Sequence, residues 1–404
     1  MITHAVAREG LLIHSPMAQN KKLLFISTVT SFGGNVSYGG GEFFAKEFLC
    51  ELSRRGWEVV FVSPPGNPLL DDDEFMRCIT RSIPLELSCG IRQPARFFST
   101  LWRWLRILKT HQEYLLYGNA FQSLKWLAMG STFFPIRTIC HLHESSYKHY
   151  HSLRARILAL RIERFIAISE SVKALFVEGS RISPEKISIV HNGVAINVEV
   201  EKLPSQRDSM RRELELPLTG YLVMMAARTD PLKGHEIFLR AAAEVLKTRA
   251  DAHFLVVGFE GGEGSQVKLH QELLRLMDQL GIRQSIRVLG HTDRVRLFMR
   301  VSDIVVVPST AEGFGRTAIE AMAEKTALIA SRVGGLEEIL QDHETAILFE
   351  NRNWLDLADK ITSLLTHQET REKLAVRGHQ AAVDSFLMSR MTDKIERLLG
   401  TAEE

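Results

Sequence analysis

Short apolar runs alternate with amphipathic segments along most of this chain. A first run at 21–27 is followed by a glycine-rich loop and then by a segment from Glu42 to about Arg55. Phe and Leu side chains recur every four residues in that segment, which places them on one side of a helix. The next apolar run begins after a glycine, at 57–62. The pattern predicts a strand–helix–strand unit, from which parallel sheets are built.

The alternation continues through two series of candidate strands. In the first series the further candidates are 114–117, 136–140, 164–168 and 187–190. In the second series they are 221–227, 252–258, 286–290, 304–307 and 327–330. A polar, charged segment at 197–217 separates the two series and is the predicted linker, and from about Leu355 the chain has a helical pattern.

These elements predict an α/β fold with two Rossmann-like, doubly wound domains that face a cleft. Residues 1–20 are expected to form a loose extension, 21–200 the first domain and 201–404 the second. Ligands of such sheets bind outside the carboxyl ends of the strands. Because two such domains face each other, we expect the binding site in the cleft between them.

Composition narrows the function classes. The 404 residues suggest about two domains, and 45% hydrophobic with 24% charged residues is typical of globular proteins. Lys and Arg number 50 against 48 Asp and Glu, so the strongly basic field of a nucleic-acid-binding protein is not indicated. Any anion site must therefore come from local placement of charges.

Cysteine usage and the absence of targeting patterns point to a cytoplasmic protein. The four cysteines, Cys50, Cys78, Cys89 and Cys140, are scattered without a CxxC pair. This spacing argues against a zinc site and against a disulfide framework. No stretch has the pattern of a signal peptide, and no apolar run approaches the ~18 residues of a membrane-spanning helix.

The stretch 305–320 is the strongest candidate for a ligand site. An apolar run ends at a proline, a loop follows with Glu312 between small residues, and a helical pattern then contains Glu320. Glycines let a ligand approach the backbone, a helix N-terminus binds phosphate, and carboxylates accept hydrogen bonds from sugar hydroxyls. Two alternatives stay open: Glu320 as part of a capping box that begins at Thr317, and Glu312 as a solvated loop carboxylate.

Arg228 and Lys233 form a second candidate site. They follow the first strand of the second series and precede a helix, which places both at the carboxyl end of a parallel strand. Two cations there suit a pyrophosphate, since Arg can bind two oxygens at once and Lys neutralises a third. The alternative is a pair of solvated surface cations, the usual environment of these side chains.

The glycine loop at 39–41 does not fit the dinucleotide-binding pattern, because Phe44 stands where a third glycine is needed. A glycine-lined wall for a phosphate or an acceptor and a flexible surface loop are both open interpretations.

His143, at the end of the strand 136–140, could contact a sugar hydroxyl or act as a base. The favoured alternative is a capping or core histidine. Zinc bound by His141, His143, His149 and His151 is conceivable, but we expect no metal, because no acid nearby in the sequence completes a standard ligand pattern.

Residues 92–109 are basic and aromatic. The favoured interpretation is an ordinary amphipathic helix that packs its Trp and Leu side chains on the sheet. The alternative is a helix in peripheral contact with an anionic membrane surface, where a lipid-linked acceptor would be found.

Together these stretches resemble one family. Arg228 with Lys233–Gly234, the pair of glutamates in 312–320 and the glycine loop resemble the retaining family 4 glycosyltransferases of the GT-B fold, whose two glutamates are spaced as E-x7-E. The segments Ser169–Ser171 and 191–194 also stand where that family has similar residues. The resemblance covers nearly the whole chain from about residue 21.

The resemblance implies a role for each candidate residue. Arg228 and Lys233 would bind the donor diphosphate, and Glu320 would bind the ribose hydroxyls. Glu312 would bind hydroxyls of the transferred sugar, and His143 would contact that sugar near the reacting carbon. The further residues implied in contacts with donor or acceptor are Gly40, Gly41, Gly313, Phe314, Gly315 and Arg316.

The family implies no metal and no cofactor, only a nucleotide-diphosphate sugar as donor substrate, and C-terminal helices that cross back to the first domain. We expect retaining transfer of the sugar to a saccharide, lipid-linked or small-molecule acceptor, in the synthesis of a glycan, glycolipid or cell-surface polysaccharide. No nucleic acid partner is expected. Two alternatives are a nucleotide-sugar epimerase of the same fold and a catalytically silent nucleotide-sugar-binding protein.

Overall fold

The computed structural model describes residues 21–28, 40–89, 93–143, 152–198, 204–259 and 265–400. The predicted extension at 1–20 lies outside these ranges. The described residues form two parallel sheets with helices packed against them, which confirms the predicted α/β fold with two Rossmann-like domains.

All strand pairs of the first sheet are parallel, in the order β3-β2-β1-β4-β5-β6-β7. The strands are β1 (Lys22–Ile26), β2 (Glu58–Ser63), β3 (Arg81–Pro84), β4 (Leu115–Asn119), β5 (Thr138–Leu142), β6 (Arg164–Ala167) and β7 (Ile187–Ile189). Alternate residues of β1 belong to two different hydrophobic clusters, so side chains cover both faces of this sheet.

The second sheet is also parallel throughout, in the order β10-β9-β8-β11-β12-β13. Its strands are β8 (Tyr221–Ala226), β9 (Ala252–Val257), β10 (Ile286–Leu289), β11 (Ile304–Val307), β12 (Ala327–Ser331) and β13 (Ile347–Phe349). The direction of strand addition reverses between β1 and β4 in the first sheet and between β8 and β11 in the second.

The described helices are α1 (Gly40–Arg54), α2 (Asp73–Cys78), α3 (Pro94–Thr110), α4 (Leu124–Phe133), α5 (Leu153–Ala159), α6 (Glu170–Ser180), α7 (Pro204–Glu213), α8 (His235–Leu246), α9 (Ser265–Gln279), α10 (Val295–Val301), α11 (Arg316–Ala323), α12 (Gly335–Ile339), α13 (Trp354–Thr366), α14 (Gln368–Ser385) and α15 (Met388–Leu399). None of the helices in these ranges has both the length and the apolar character that crossing a bilayer requires.

Each predicted strand has a counterpart in the structure, and two short edge strands, β3 and β13, were not predicted. The outer residues of β3 are exposed and it ends in a proline, so it lacks the apolar run by which the other strands were recognised. Strand β13 has only 3 residues.

The predicted linker at 197–217 contains helix α7, whose arginines are paired with the second sheet. Arg211 in this helix is 1% exposed, and its guanidinium lies 3.0 Å from the carboxylate of Asp303. Arg207 pairs with the same carboxylate at 2.8 Å. The arginines of this charged sequence therefore pair with an acid about 90 residues away. The domain boundary at residue 200 stays a prediction.

The argument against a disulfide is also wrong, because Cys50 and Cys78 are bonded to each other. Helix α2 folds back along α1 and brings the two Cα atoms to 4.8 Å, although the cysteines are 28 residues apart in the sequence. Cys89 and Cys140 are buried free thiols. Disulfides are rare in reducing compartments such as the cytoplasm. The bond between Cys50 and Cys78 therefore weighs against the predicted cytoplasmic setting, which stays a prediction.

The last helix, α15, packs against α1 of the first sheet. Arg55 after α1 forms ion pairs with Asp393 at 2.6 Å and with Glu396 at 2.8 Å. The indole N–H of Trp57 donates to the other oxygen of Glu396 at 2.7 Å. The end of the chain is therefore attached to the first half of the molecule.

Candidate active site

The loops that follow β8 and β11 lie together at the carboxyl edge of the second sheet. The backbone N–H of Thr310 donates to the carbonyl of Leu232 at 2.8 Å. These loops flank the reversal in strand order, where open α/β sheets bind their ligands. Lys233 and Glu312, predicted from separate stretches, are thereby brought into contact.

Lys233 and Glu312 form an ion pair, with Nζ 2.8 Å from Oε2. Asp230 caps the short turn that carries Lys233, and the hydroxyl of Ser309 donates to the same Glu312 oxygen at 3.0 Å. The Lys233 side chain is 32% exposed and that of Glu312 16%, so the pair is open to solvent on one side. A cation beside a carboxylate can bind a phosphate oxygen and a neighbouring sugar hydroxyl at once.

Gly234, which follows Lys233 directly, and Arg228, which lies five residues before it, have different environments. Gly234 has a φ of +73°, and a Cβ built there would lie 1.8 Å from the carbonyl oxygen of Pro308, so the two loops can meet only at a glycine. Arg228 is exposed and makes no hydrogen bond or ion pair with the other described residues. The fold brings its backbone near Lys233 and leaves the guanidinium free to meet a ligand.

Helix α11 begins at Arg316, and its N-cap is Gly315, whose φ is +104°. The alternative of a capping box that begins at Thr317 is therefore ruled out, because this residue lies inside the helix. The carboxylate of Glu320 instead accepts a hydrogen bond from Nε of Arg316 at 2.8 Å. No side chain caps α11. The N–H of Ala318 donates to the carbonyl of Gly315 at 2.9 Å, whereas the N–H groups of the first two positions have no partner within the helix and are available to an anion.

Arg316 joins the two halves of the molecule. Its Nη2 donates to Glu47 of α1 at 2.8 Å, while its Nε donates to Glu320. Burial opposes the charge of this guanidinium, but the two carboxylates outweigh burial and raise its pKa. Nη1 is buried without a hydrogen-bond partner in the described part of the chain. The sequence predicted Arg316 as a contact residue but did not predict its ion pairs, since Glu47 lies 269 residues away.

His143 lies one residue beyond β5, at the carboxyl edge of the first sheet. Its Nδ1 is 3.3 Å from the side-chain amide of Asn192, and its ring packs on Phe44 with centroids 4.7 Å apart. Burial, assisted by the nearby charge of Arg316, lowers the pKa of His143 to about 3. At neutral pH His143 is therefore an uncharged hydrogen-bonding group close enough to Arg316 to respond to its charge.

His141 fits the alternative of a core histidine. It is 0% exposed, and its Nδ1 lies 2.7 Å from the hydroxyl of Tyr117. Burial holds the pKa of His141 well below its ordinary value. In the ranges that the structure describes, no group of three or more His, Cys, Asp or Glu side chains is arranged to hold a metal. His149 and His151 lie outside those ranges, and the absence of a metal stays a prediction.

Gly40 and Gly41 form the start of α1, which begins two residues earlier than the sequence indicates. The carbonyl of Gly41 accepts from the side chain of Asn119 at 3.3 Å. A Cβ built at Gly41 would meet no heavy atom within 4 Å. The other glycines of the loop, at 33, 34 and 39, lie outside the described residues.

Further contacts hold the Gly313 loop against the first half. The hydroxyl of Ser169 donates to the carbonyl of Gly313 at 2.7 Å. Glu338 accepts from the backbone N–H groups of Glu170 and Ser171, both at 2.8 Å, where α6 begins. A carboxylate at a helix N-terminus is stabilised by the helix dipole. Ser169–Ser171 was recognised as similar to the family, whereas no sequence signal pointed to Glu338.

Phe314 contributes its backbone and not its ring to the candidate site. The side chain is 3% exposed and lies among His191 and Phe386, with ring centroids 5.6 and 6.1 Å away. This packing orients the turn between Gly313 and Gly315.

Two family models match the two halves. The model described as "Glycosyltransferase Family 4" matches residues 38–198, and the model described as "Glycosyl transferases group 1" matches residues 206–381. The chain belongs to the family 4 glycosyltransferases. The resemblance drawn from the E-x7-E stretch is thus confirmed at the level of the family.

Curated relatives of this glycosyltransferase chain include the D-inositol 3-phosphate glycosyltransferases. The protein from Mycobacterium leprae is 33% identical over 214 residues, which is 52% of this chain and 48% of the relative. The protein from Mycolicibacterium smegmatis is 32% identical over 235 residues, 56% of this chain and 52% of the relative. The matches thus span about half the length of these relatives.

Solved structures of GT-B glycosyltransferases share the fold. Anabaena Alr3699/HepE, in complex with UDP and glucose, aligns with a TM-score of 0.79 at 20% identity over 95% of this chain and 100% of that one. Sucrose-phosphate synthase from Thermosynechococcus elongatus aligns with a TM-score of 0.76 at 21% identity, covering 94% and 98% of the two chains. At this identity the likeness establishes the fold alone.

Proposed function

We propose that this chain transfers a sugar from a nucleotide-diphosphate donor to an acceptor hydroxyl and retains the anomeric configuration. The observation that carries the proposal is the Lys233–Glu312 pair beside the start of α11, whose first residue, Arg316, acts electrostatically on His143 of the first sheet. This arrangement offers a cation and free N–H groups to phosphate, and carboxylates and a neutral imidazole to hydroxyls.

Donor binding is assigned mainly to the second half. Lys233, Arg228 and the N–H groups that begin α11 would bind the diphosphate, and Glu320 the ribose. Glu312 would accept from hydroxyls of the sugar. Gly40 and Gly41 would face the phosphate or the acceptor across the cleft. Alr3699/HepE was solved with UDP and glucose, so a uridine diphosphate sugar is the first donor to test.

In the proposed reaction the bond from the anomeric carbon to the diphosphate oxygen breaks, and a bond to the acceptor oxygen forms on the same face. The acceptor proton passes to the leaving phosphate oxygen, and no protein nucleophile is assigned. Lys233 and Arg228 stabilise the negative charge that develops on the diphosphate. One preorganised donor of this kind contributes ~2.7–4 kcal/mol, or ~10²–10³ in rate.

The acceptor class is proposed more broadly: a saccharide, a lipid-linked hydroxyl or a small polyol. Because the curated relatives are named for D-inositol 3-phosphate, a polyol phosphate belongs in the acceptor panel. The product would be a glycan, a glycolipid or a cell-surface polysaccharide precursor, made without a metal in the cytoplasm.

The first experiment is a thermal-shift panel with UDP, GDP, ADP and their sugars. A ligand at ~100 times its dissociation constant adds ~2.7 kcal/mol to the free energy of unfolding, so one nucleotide series should raise the melting temperature clearly. No shift with any nucleotide would overturn the proposal.

Two rivals are separated by the reaction products. An epimerase would convert the donor into a different nucleotide sugar without an acceptor. A silent binding protein would shift in melting temperature and yet release no nucleoside diphosphate with any acceptor. The proposed enzyme releases nucleoside diphosphate in step with acceptor glycosylation.

A further inference from the structure

Helices α3, α4 and α5 lie side by side on one face of the first sheet. The indole N–H of Trp104 in α3 donates to the carbonyl of Trp126 in α4 at 3.0 Å. The hydroxyl of Ser131 in α4 donates to the carbonyl of Arg161, just after α5, at 2.9 Å. Buried side chains of all three helices belong to the same hydrophobic cluster. Their outer sides therefore form one surface, called here the three-helix face (residues 94–110, 124–133 and 153–161).

Large apolar side chains are exposed on this face. Their exposed fractions lie between 57 and 71%, and the residues are Phe98, Trp102, Phe133, Leu153, Ile157 and Leu160. Phe98 and Trp102 are one helical turn apart, and Leu153, Ile157 and Leu160 follow the spacing of a single helical stripe. Isolated exposed apolar residues are normal, but a group of them on adjacent helices marks an interaction surface.

The same face carries only positive charge. Its three segments contain no Asp or Glu, although the whole chain has 50 Lys and Arg against 48 acids. The exposed cations are Arg96, Arg103, Arg106, Lys109, Arg154 and Arg161. The guanidinium of Arg106 lies over the Trp102 ring, 4.3 Å from its centroid. Glu163, the first acid in the sequence after the segment 153–161, pairs with Arg137 at 3.1 Å.

We propose that the three-helix face binds the surface of a membrane that contains anionic lipids. Aromatic side chains at the boundary of headgroups and acyl chains, flanked by Lys and Arg at the phosphates, are the combination that such a surface binds. An acidic polymer would match the cations but not the exposed Leu and Ile stripe. The sequence favoured packing on the sheet, which Trp104 does, whereas Trp102 points outward.

The position of the three-helix face relative to the cleft has a consequence for the acceptor. This consequence rests on the proposed function. Helices of parallel βα units begin at the carboxyl edge of the sheet. The first residues of α3, α4 and α5 thus lie toward the edge that carries His143. A membrane bound by this face would lie beside the cleft, where a lipid-linked hydroxyl could enter.

The test is co-sedimentation of the full chain with phosphatidylcholine vesicles, with and without phosphatidylglycerol, in the absence of any nucleotide. One variant carries Phe98→Ser and Trp102→Ser, and a second carries Arg106→Glu and Lys109→Glu. The matched controls are Val376→Ser, which is 52% exposed, and Lys268→Glu, whose side chain is 79% exposed; both lie in the second half.

We expect the wild type to bind vesicles that contain phosphatidylglycerol and to dissociate at high salt. Each face variant should bind at least ~10-fold less, since one cation near an anionic surface contributes about fivefold, while the controls bind like the wild type. No sedimentation of the wild type, or equal binding by the face variants, would overturn the proposal. The proposal would also be overturned if the wild type bound no lipid and instead formed a dimer that the changes at Phe98 and Trp102 dissociate. Nucleotide thermal shifts of the face variants should stay unchanged, which separates this test from the proposed function.

Discussion

The two halves build their sides of the cleft in different ways. In the second half, Lys233, Glu312 and Ser309 contact one another within two neighbouring loops. In the first half, His143 is held by Asn192, on a loop 49 residues further along the chain. Both pairs join segments that are far apart in the sequence, but the second half contributes opposite charges and the first half an uncharged imidazole.

Ion pairs and hydrogen bonds near the candidate site join the two halves. Arg316 is bound to Glu47 and Glu320, and Glu338 caps the helix that begins at Glu170. Changes in the second half should therefore reduce donor binding and turnover together. Changes in the first half should act on turnover and on the relation of the two halves.

The largest expected effect is that of Lys233→Ala. Loss of the cation should lower kcat/KM by ~10²–10³, because charge on the leaving diphosphate is no longer stabilised. Steady-state kinetics with a melting curve test this prediction, and Lys247→Ala, which removes an exposed pair with Glu244, is the control. Turnover close to that of the wild type would remove Lys233 from the site.

A smaller effect is expected for Glu47→Gln, the first-half partner of Arg316. A hydrogen bond to a charged group contributes ~1.5–3 kcal/mol, and a neutral amide keeps part of it, so kcat/KM should fall ~10-fold. Glu51→Gln is the matched control, because Glu51 pairs with Arg55 on the same side of the cleft. Equal kinetics for the two variants would show that the Arg316 bridge does not support the site.

Acid should destabilise the first half through its buried histidines. The unfolded chain binds a proton at His143 near pH 6.5, while the folded chain does so only near its pKa of about 3. The free energy of unfolding therefore falls as pH falls through this window, by up to ~1.4 kcal/mol per pH unit for one histidine. Urea unfolding of the wild type and of His143→Asn between pH 7 and pH 4 measures this effect, and the variant should show the shallower slope. Identical slopes would contradict the low pKa.

The smallest effect on stability is expected for Gly41→Ala. A Cβ there meets no heavy atom of the described residues, and alanine favours the helix over glycine by about 0.5–1 kcal/mol. The melting temperature should stay the same or rise slightly, while kcat/KM falls if phosphate or acceptor approaches this backbone. Unchanged kinetics would place Gly41 outside the site.

Much of the fold could be predicted because it depends on local patterns. Phe44 and Phe48 recur at helical spacing and are buried as expected, and long apolar runs became the central strands. The short edge strands have no periodic signal. The burial of Arg211 could not be predicted, since its partner Asp303 lies 92 residues further along the chain.

In the candidate site, too, the residues whose position depends on local patterns could be predicted and those with distant partners could not. Lys233 and Glu312 could be predicted because they follow parallel strands whose ends meet at one edge. The partners of Glu320 could not, because a capping box and an ion pair with Arg316 have the same local sequence. Only the position of Gly315, with its φ of +104°, decides where α11 begins. Glu47 and Glu338 act across the cleft, and nothing near them in the sequence indicates their partners.

Hydrolysis of an α-linked nucleotide sugar by this protein, followed by proton NMR from the first minutes, tests the central claim most directly. Water takes the place of the unknown acceptor, and the anomeric signals report which face of the sugar it attacks. The account predicts nucleoside diphosphate and free sugar that appears first as the α-anomer, with release strongly reduced in Lys233→Ala. A β-anomer formed first, or an intact but epimerised donor, would contradict it.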